Sequence, residues 1–222
     1  MKHYRTLGFI LATQLLWVSA VFAQGNYKTE PTGALTAADV PKALEDLLDS
    51  QGTKMVNDQG AVLCEVWLRK TVPTSSSPSS SSDILYGALG EGALLGVLHF
   101  PNPAADFRGQ AIKPGYYTLR YGLIPQDGNH MGVNPYRDVT LLAPATADKD
   151  LDKNLKFDDL VKLARQASGT PHPGFLVMAQ ASGDAFPSAV KDDQGHWNLQ
   201  LKLHGSNGDV PVAVTVVGKW EG

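Results

Sequence analysis

Apolar positions recur with a period of two along most of this chain and with a period near 3.6 in only two places. In "AVLCEVWLRK", Val62, Cys64, Val66 and Leu68 alternate with Leu63, Glu65, Trp67 and Arg69. This predicts a strand with Cys64 on its apolar face, paired through a turn at residues 57–60 with a preceding strand over "TKMVN". The segment "EGALLGVLHF" is apolar on both faces, as a central strand would be, and glycines separate it from "DILYG". "IKPGYYTLRYGLI" starts at a Pro114-Gly115 turn and puts Tyr117, Leu119, Tyr121 and Leu123 on one face, with Tyr116, Thr118 and Arg120 on the other. "YRDVTLLAP", "GFLVMAQA", "HWNLQLKLH" and "VPVAVTVVGKW" supply further strands.

The two helical stretches are predicted over residues 39–50 and in "KFDDLVKLARQASG". The first carries Val40, Leu44, Leu47 and Leu48 as its stripe, with Pro41 in the first turn. The second has Phe157, Leu160, Val161 and Ala164 as its stripe, Asp158 and Asp159 at its positive end, and Gly169 as its stop. Eight or more short strands separated by Gly, Pro, Asn and Asp turns, with two helices inserted, predict a mainly β protein: an antiparallel β-sandwich forming a single domain over residues 37–222. Residues 24–36 read as a flexible lead-in. The Ser-rich residues 74–82 read as a loop with too little apolar surface to bury.

The first 23 residues bear on compartment. Lys2 and Arg5 precede an apolar stretch from Leu7 to Val18, and Val21-Phe22-Ala23 fits a signal-peptidase site, so a mature chain starting at Gln24, periplasmic or secreted, is expected. That stretch is too short for a spanning helix, which needs about 20 apolar residues, and no cysteine stands at the cleavage point to carry a lipid anchor. Loss of Lys2 and Arg5 leaves 17 basic residues against 22 acidic ones, a balance that disfavours nucleic-acid binding. Cys64 is the only cysteine, so the chain cannot form an internal disulfide, and its fold must rest on packing.

Chemistry concentrates in "DGNHMGVNPYRD", residues 127–138, between two strands. His130 and Met131 are an imidazole and a thioether, ligands that select copper, and His172 in "TPHPG" is a third candidate. Neighbouring side chains on an extended segment point apart, so turn formation by Asp127-Gly128 and Asn134-Pro135 explains the same stretch without a metal. Tyr136, Arg137 and Asp138 could hold an anionic or hydroxylated ligand together with His130, or could be a locally paired strand start. Trp67, Tyr116, Trp197 and Trp220 offer rings that could stack on sugars or fill the core. Asp148, Asp150 and Asp152 alternate like part of a calcium loop but lack its glycine and its terminal glutamate. No GxSxG elbow and no HxxxH pair is present, and Cys64 lies in mid-strand, so no catalytic residue is assigned.

The segments "VWLRKTVP", "IKPGYYTLRYGLIPQDGNHMGVNPYRDVTLLAPATADKD" and "ASGTPHPGFLVM" resemble, in that order, signature segments of a family of small exported bacterial proteins of unassigned function. The resemblance implies export and leaves activity open. Two function classes follow from the residues: a non-enzymatic exported binding or accessory module using His130, Tyr136, Arg137 and Asp138 and needing no cofactor, or a copper-handling or redox accessory protein using His130, Met131 and His172.

Overall fold

The computed structural model describes residues 25–126 and 135–219. In chain order they form β1 (Tyr27–Thr32), α1 (Lys42–Glu45), β2 (Gly52–Asn57), β3 (Val62–Leu68), β4 (Leu94–Phe100), β5 (Ala104–Ala105), β6 (Ala111–Ile112), β7 (Gly115–Leu123), β8 (Asp138–Pro144), α2 (Phe157–Ser168), β9 (Phe175–Ala179), β10 (Ser188–Lys191), β11 (Trp197–Gly205) and β12 (Gly208–Val217). Ten strands make one antiparallel sheet in the order β1-β2-β3-β4-β7-β8-β9-β12-β11-β10, while β5 and β6 pair only with each other. The sheet curls until its ends meet. There the Thr29 hydroxyl donates to the Pro187 carbonyl at 3.2 Å, and the Tyr27 ring meets Trp197 edge-on with centroids 5.3 Å apart.

The expected mainly β, antiparallel character with two helices is therefore present, in a sheet nearly closed into a barrel. Alternation predicts two facing sheets as readily as one curled sheet, because it tells which side chains face inward but not which strands are neighbours. Here the ladders trace one continuous sheet. Its thinnest joint is between β9 and β12, where only Ala179 with Ala213 and Met178 with Val214 are in register. The Tyr86 side chain reinforces this joint: its hydroxyl donates to the Ala179 carbonyl and accepts the Ala213 N–H. No helix among the described residues is long and apolar enough to cross a membrane.

The barrel is filled by the inward positions that the alternation selects, among them Cys64, Val66, Leu119, Tyr121, Leu142, Met178, Leu199 and Leu201. Each large apolar side chain fully buried there contributes about 1.5–3 kcal/mol. Residues 57–60 form the turn between β2 and β3, with the Asn57 side-chain oxygen accepting the N–H groups of Gln59 and Ala61 at 3.0 and 2.9 Å. "DILYG" is not a strand: Leu85 and Tyr86 are held by their backbone N–H groups on the Asp138 carboxylate, and Tyr86 packs into the interior.

Both helices cover the outside of the barrel. The first is a single turn, shorter than the predicted span of residues 39–50. Its stripe is nevertheless buried: Val40, Leu44 and Leu48 pack with Trp67, Leu94 and Val97. Beyond Glu45 the backbone finds partners in the extension of β3, with Asp49 N–H donating to Leu68 and Lys70 N–H to Leu47, both at 2.9 Å. Those bonds compete with further helical ones, and the helix stops. The second helix matches its expected span and ends at Gly169, a left-handed cap with φ 66°. It buries Leu160 and Ala164 against Val139, Leu141, Phe175 and Val177. Phe157, expected in the buried stripe, is instead 37% exposed, and Val161 is half-buried.

Residues 145–155 close over β7 around a fully buried ion pair. Arg120 donates from Nε and Nη2 to the Asp148 carboxylate at 2.7 and 2.8 Å. It also donates from Nη1 to the carbonyls of Gly92 and Lys153 at 2.7 and 2.8 Å, and from Nη2 to the Asp150 carbonyl at 2.9 Å. All five guanidinium N–H groups are used. The Thr118 hydroxyl adds a bond to Asp148 at 2.7 Å.

Candidate functional site

Where α2 crosses the outside of β8 and β9 it leaves a cleft of about 240 Å³ along one flank. The alternation of β8 and β9 sends Val139, Leu141 and Phe175 outward to form the apolar floor. Phe157 and Val161, one helical turn apart on α2, form a wall, and Leu123, Ile124 and Pro125 at the end of β7 contribute another. Arg108, Arg165 and His172 are the cationic or titratable side chains on its lining.

The segments carrying these three residues are tied together. Asp106, buried, accepts the N–H groups of Arg108 and Gln110 at 3.0 and 2.8 Å and so shapes the turn that presents Arg108. Burial raises its carboxyl above the ordinary carboxylate range, against the lowering effect of those bonds. Gln110 donates to Asp106 at 2.7 Å and to the Pro173 carbonyl at 3.3 Å, while its own amide oxygen accepts the Thr170 hydroxyl. Ser168, at the end of α2, donates to the His172 carbonyl at 2.6 Å. The His172 side chain is thereby left exposed at the mouth of the cleft. Neither guanidinium at the rim has an ion-pair partner among the described residues.

The described residues expected to form a site, Tyr136, Arg137, Asp138 and His172, do not line one cavity together. His130 and Met131 lie outside the described residues. Arg137 ties down the base of the loop: its Nε donates to the Ile124 carbonyl at 2.8 Å, its N–H donates to the Asp83 carbonyl at 3.0 Å, and its Nη1 lies 3.7 Å from the Asp83 carboxylate. Tyr136 beside it is half-buried. Asp138 points the other way, into the barrel, where it is fully buried and accepts from Leu85 N–H, Tyr86 N–H and the Tyr121 hydroxyl at 2.8, 2.9 and 2.7 Å. Its carboxylate drives the Tyr121 hydroxyl, already raised by burial, still further above its ordinary range. Of the expected residues that are described, only His172 lines the cleft, although Arg137 holds the carbonyl of one of its wall residues, Ile124.

Other candidate groups have partners of their own. Trp67 is buried, with its indole N–H on the Gly33 carbonyl at 2.8 Å; Trp197 is buried against Tyr27; and Tyr116 is stacked on His99 at 4.1 Å. Trp220 lies outside the described residues. The three alternating aspartates do not converge: Asp148 pairs with Arg120, Asp150 with Lys153 at 2.7 Å, and Asp152 with Arg69 at 2.9 Å. His99, His196 and His204 each place Nδ1 on a carboxylate, of Glu65, Asp192 and Asp209 respectively. Among the described residues no three His, Cys, Asp or Glu side chains are grouped to hold a metal. Burial pushes the Cys64 thiol up to about 12.

Sequence reasoning missed Arg108, Arg165 and Phe157. The available signal is the width of the α2 stripe: Leu160 and Ala164 suffice to seat the helix, so Phe157 and Val161 form a second apolar row beside them. Comparison of the chain with protein-family models, with curated proteins and with solved structures finds no match, and the family likeness rests on its three quoted segments alone.

Proposed function

We propose that this protein is an exported binding module and that the cleft beside α2 is its binding seat. One observation carries the reading: a cleft floored by buried apolar side chains opens beside the exposed Phe157, with guanidiniums that have no ion-pair partner at its rim among the described residues. Large exposed apolar side chains on a folded surface mark contact sites when they cluster in a concavity with a few convergent polar groups. The charged and titratable side chains lining the cleft are two guanidiniums and one imidazole, with no carboxylate or hydroxyl among the described lining residues to act alongside them. Such a set is suited to holding a ligand. Export is supported by Lys2, Arg5 and the apolar stretch that follows them.

The test uses N-phenyl-1-naphthylamine, a neutral probe whose fluorescence rises in apolar surroundings. The mature protein should bind it saturably. Val161→Trp, which fills the cleft from its half-buried wall, should abolish the signal without lowering the melting temperature. Absence of saturable binding by the unsubstituted protein would overturn the reading.

A further inference from the structure

We infer that the cleft takes a medium-chain aliphatic carboxylate, its chain on the Val139, Leu141 and Phe175 floor and its head group at the rim beside Arg108 and Arg165. The inference rests on the cleft being the binding seat.

Size sets the chain length. At roughly 30 Å³ for a water-sized group, a cleft of about 240 Å³ holds about eight such groups, room for the five to seven tail carbons of an acid of six to eight carbons. A diacyl lipid or a sterol exceeds that volume several-fold. Charge sets the head group. Arg108 comes from the turn between β5 and β6, and Arg165 from the last turn of α2, so two separate elements direct cations to one apolar cavity. Elsewhere in the molecule arginines are matched by anions: Arg120 by Asp148, Arg69 by Asp152, and Arg137 by Asp83 at longer range. The rim arginines are the exception among the described residues. A guanidinium presents paired N–H groups that fit the two oxygens of a carboxylate, and a hydrogen bond between ionised partners is about twice as strong as a neutral one. An amine ligand would meet two like charges, and an alcohol would lose the ion pair.

The ligand ranking tests the inference on the unsubstituted protein, by displacement of N-phenyl-1-naphthylamine at pH 7.5. Octanoate should displace the probe at concentrations at least tenfold lower than 1-octanol, octylamine should be weaker than both, and acetate should have no effect. The double variant Arg108→Gln/Arg165→Gln should bring octanoate to the level of 1-octanol at an unchanged melting temperature, with displacement read against the variant's own affinity for the neutral probe. Equal displacement by octanoate and 1-octanol would overturn the ligand class and leave the cleft standing. Probe binding that Val161→Trp does not reduce would overturn both. Octanoate binding that survives the arginine substitutions undiminished would place the carboxylate elsewhere and overturn the inference.

Discussion

Replacing Arg120 with methionine leaves the buried Asp148 carboxylate without its counter-ion. The substitution keeps the length and apolar character of the stem but deletes five N–H donors, leaving Asp148 with the Thr118 hydroxyl as its remaining side-chain donor, in a place with no access to water. Breaking a buried ion pair from one side typically costs about 3–5 kcal/mol, because the surviving charge keeps its desolvation penalty and loses its compensation. The carbonyls of Gly92, Asp150 and Lys153 also lose donors, though the loop carrying the last two can turn toward solvent, so the total should stay within that range. Against a typical domain stability of about 5–15 kcal/mol this is a large fraction. Removing both charges, as Arg120→Met/Asp148→Leu, should recover much of the loss and return to within about 2 kcal/mol of the unsubstituted protein. The assay is urea denaturation followed by tryptophan fluorescence, with equal denaturant slopes required before free energies are compared. A loss below about 1 kcal/mol for Arg120→Met, or additivity of the two single substitutions within about 0.5 kcal/mol, would refute the claim that the pair is energetically coupled.

Asp138→Ala should destabilise by about 3–5 kcal/mol, since two backbone N–H groups and the Tyr121 hydroxyl lose their acceptor; circular-dichroism denaturation curves measure it. Cys64 should resist alkylation by iodoacetamide: with its thiol pushed up to about 12, roughly one molecule in 10⁴ carries the thiolate at pH 8, and rapid labelling should appear only when urea unfolds the chain. Shortening residues 76–82 to a brief Gly/Ser connector while keeping Thr74, which is bonded to Ser206 and Asn207, should change stability by no more than about 1 kcal/mol, as read from thermal melts. Amino-terminal sequencing of protein recovered from its native compartment should begin at Gln24, and retention of Met1 would count against export.

The sequence made the strands and the inward-facing positions legible, because alternation and burial share one cause: the pleat sends successive side chains to opposite faces. Tyr117, Leu119 and Tyr121 are interior for that reason. The outward partners Thr118 and Arg120 carry no comparable signal, since an outward position is wet or dry according to what the rest of the chain lays over it. Here residues 145–155 cover it, and Asp148, in sequence one of three alternating aspartates, becomes a buried counter-ion. The same blindness to tertiary cover explains Asp138, which stands beside Arg137 in sequence but faces the interior, and the one-turn length of α1. The cleft combines Arg108, Val139 and Arg165 from three separate parts of the chain, and no spacing rule connects them.

The position of β12 sets the order in which the molecule can be completed. From β1 through β9 the main sheet grows by adding strands in chain order, β5 and β6 standing aside, so a chain emerging amino-terminus first can assemble that part as it appears. The pair β10-β11 cannot follow in the same way, because its hydrogen-bonded link to β9 runs through β12. Until residues 208–217 arrive, the inner faces of Leu119, Leu142 and Met178 form an open trough with nothing opposite them. A nascent chain therefore leaves that trough open from the completion of β9 at Ala179 until β12 is made. It commits to the native state only when its last ten-residue strand slots between β9 and β11.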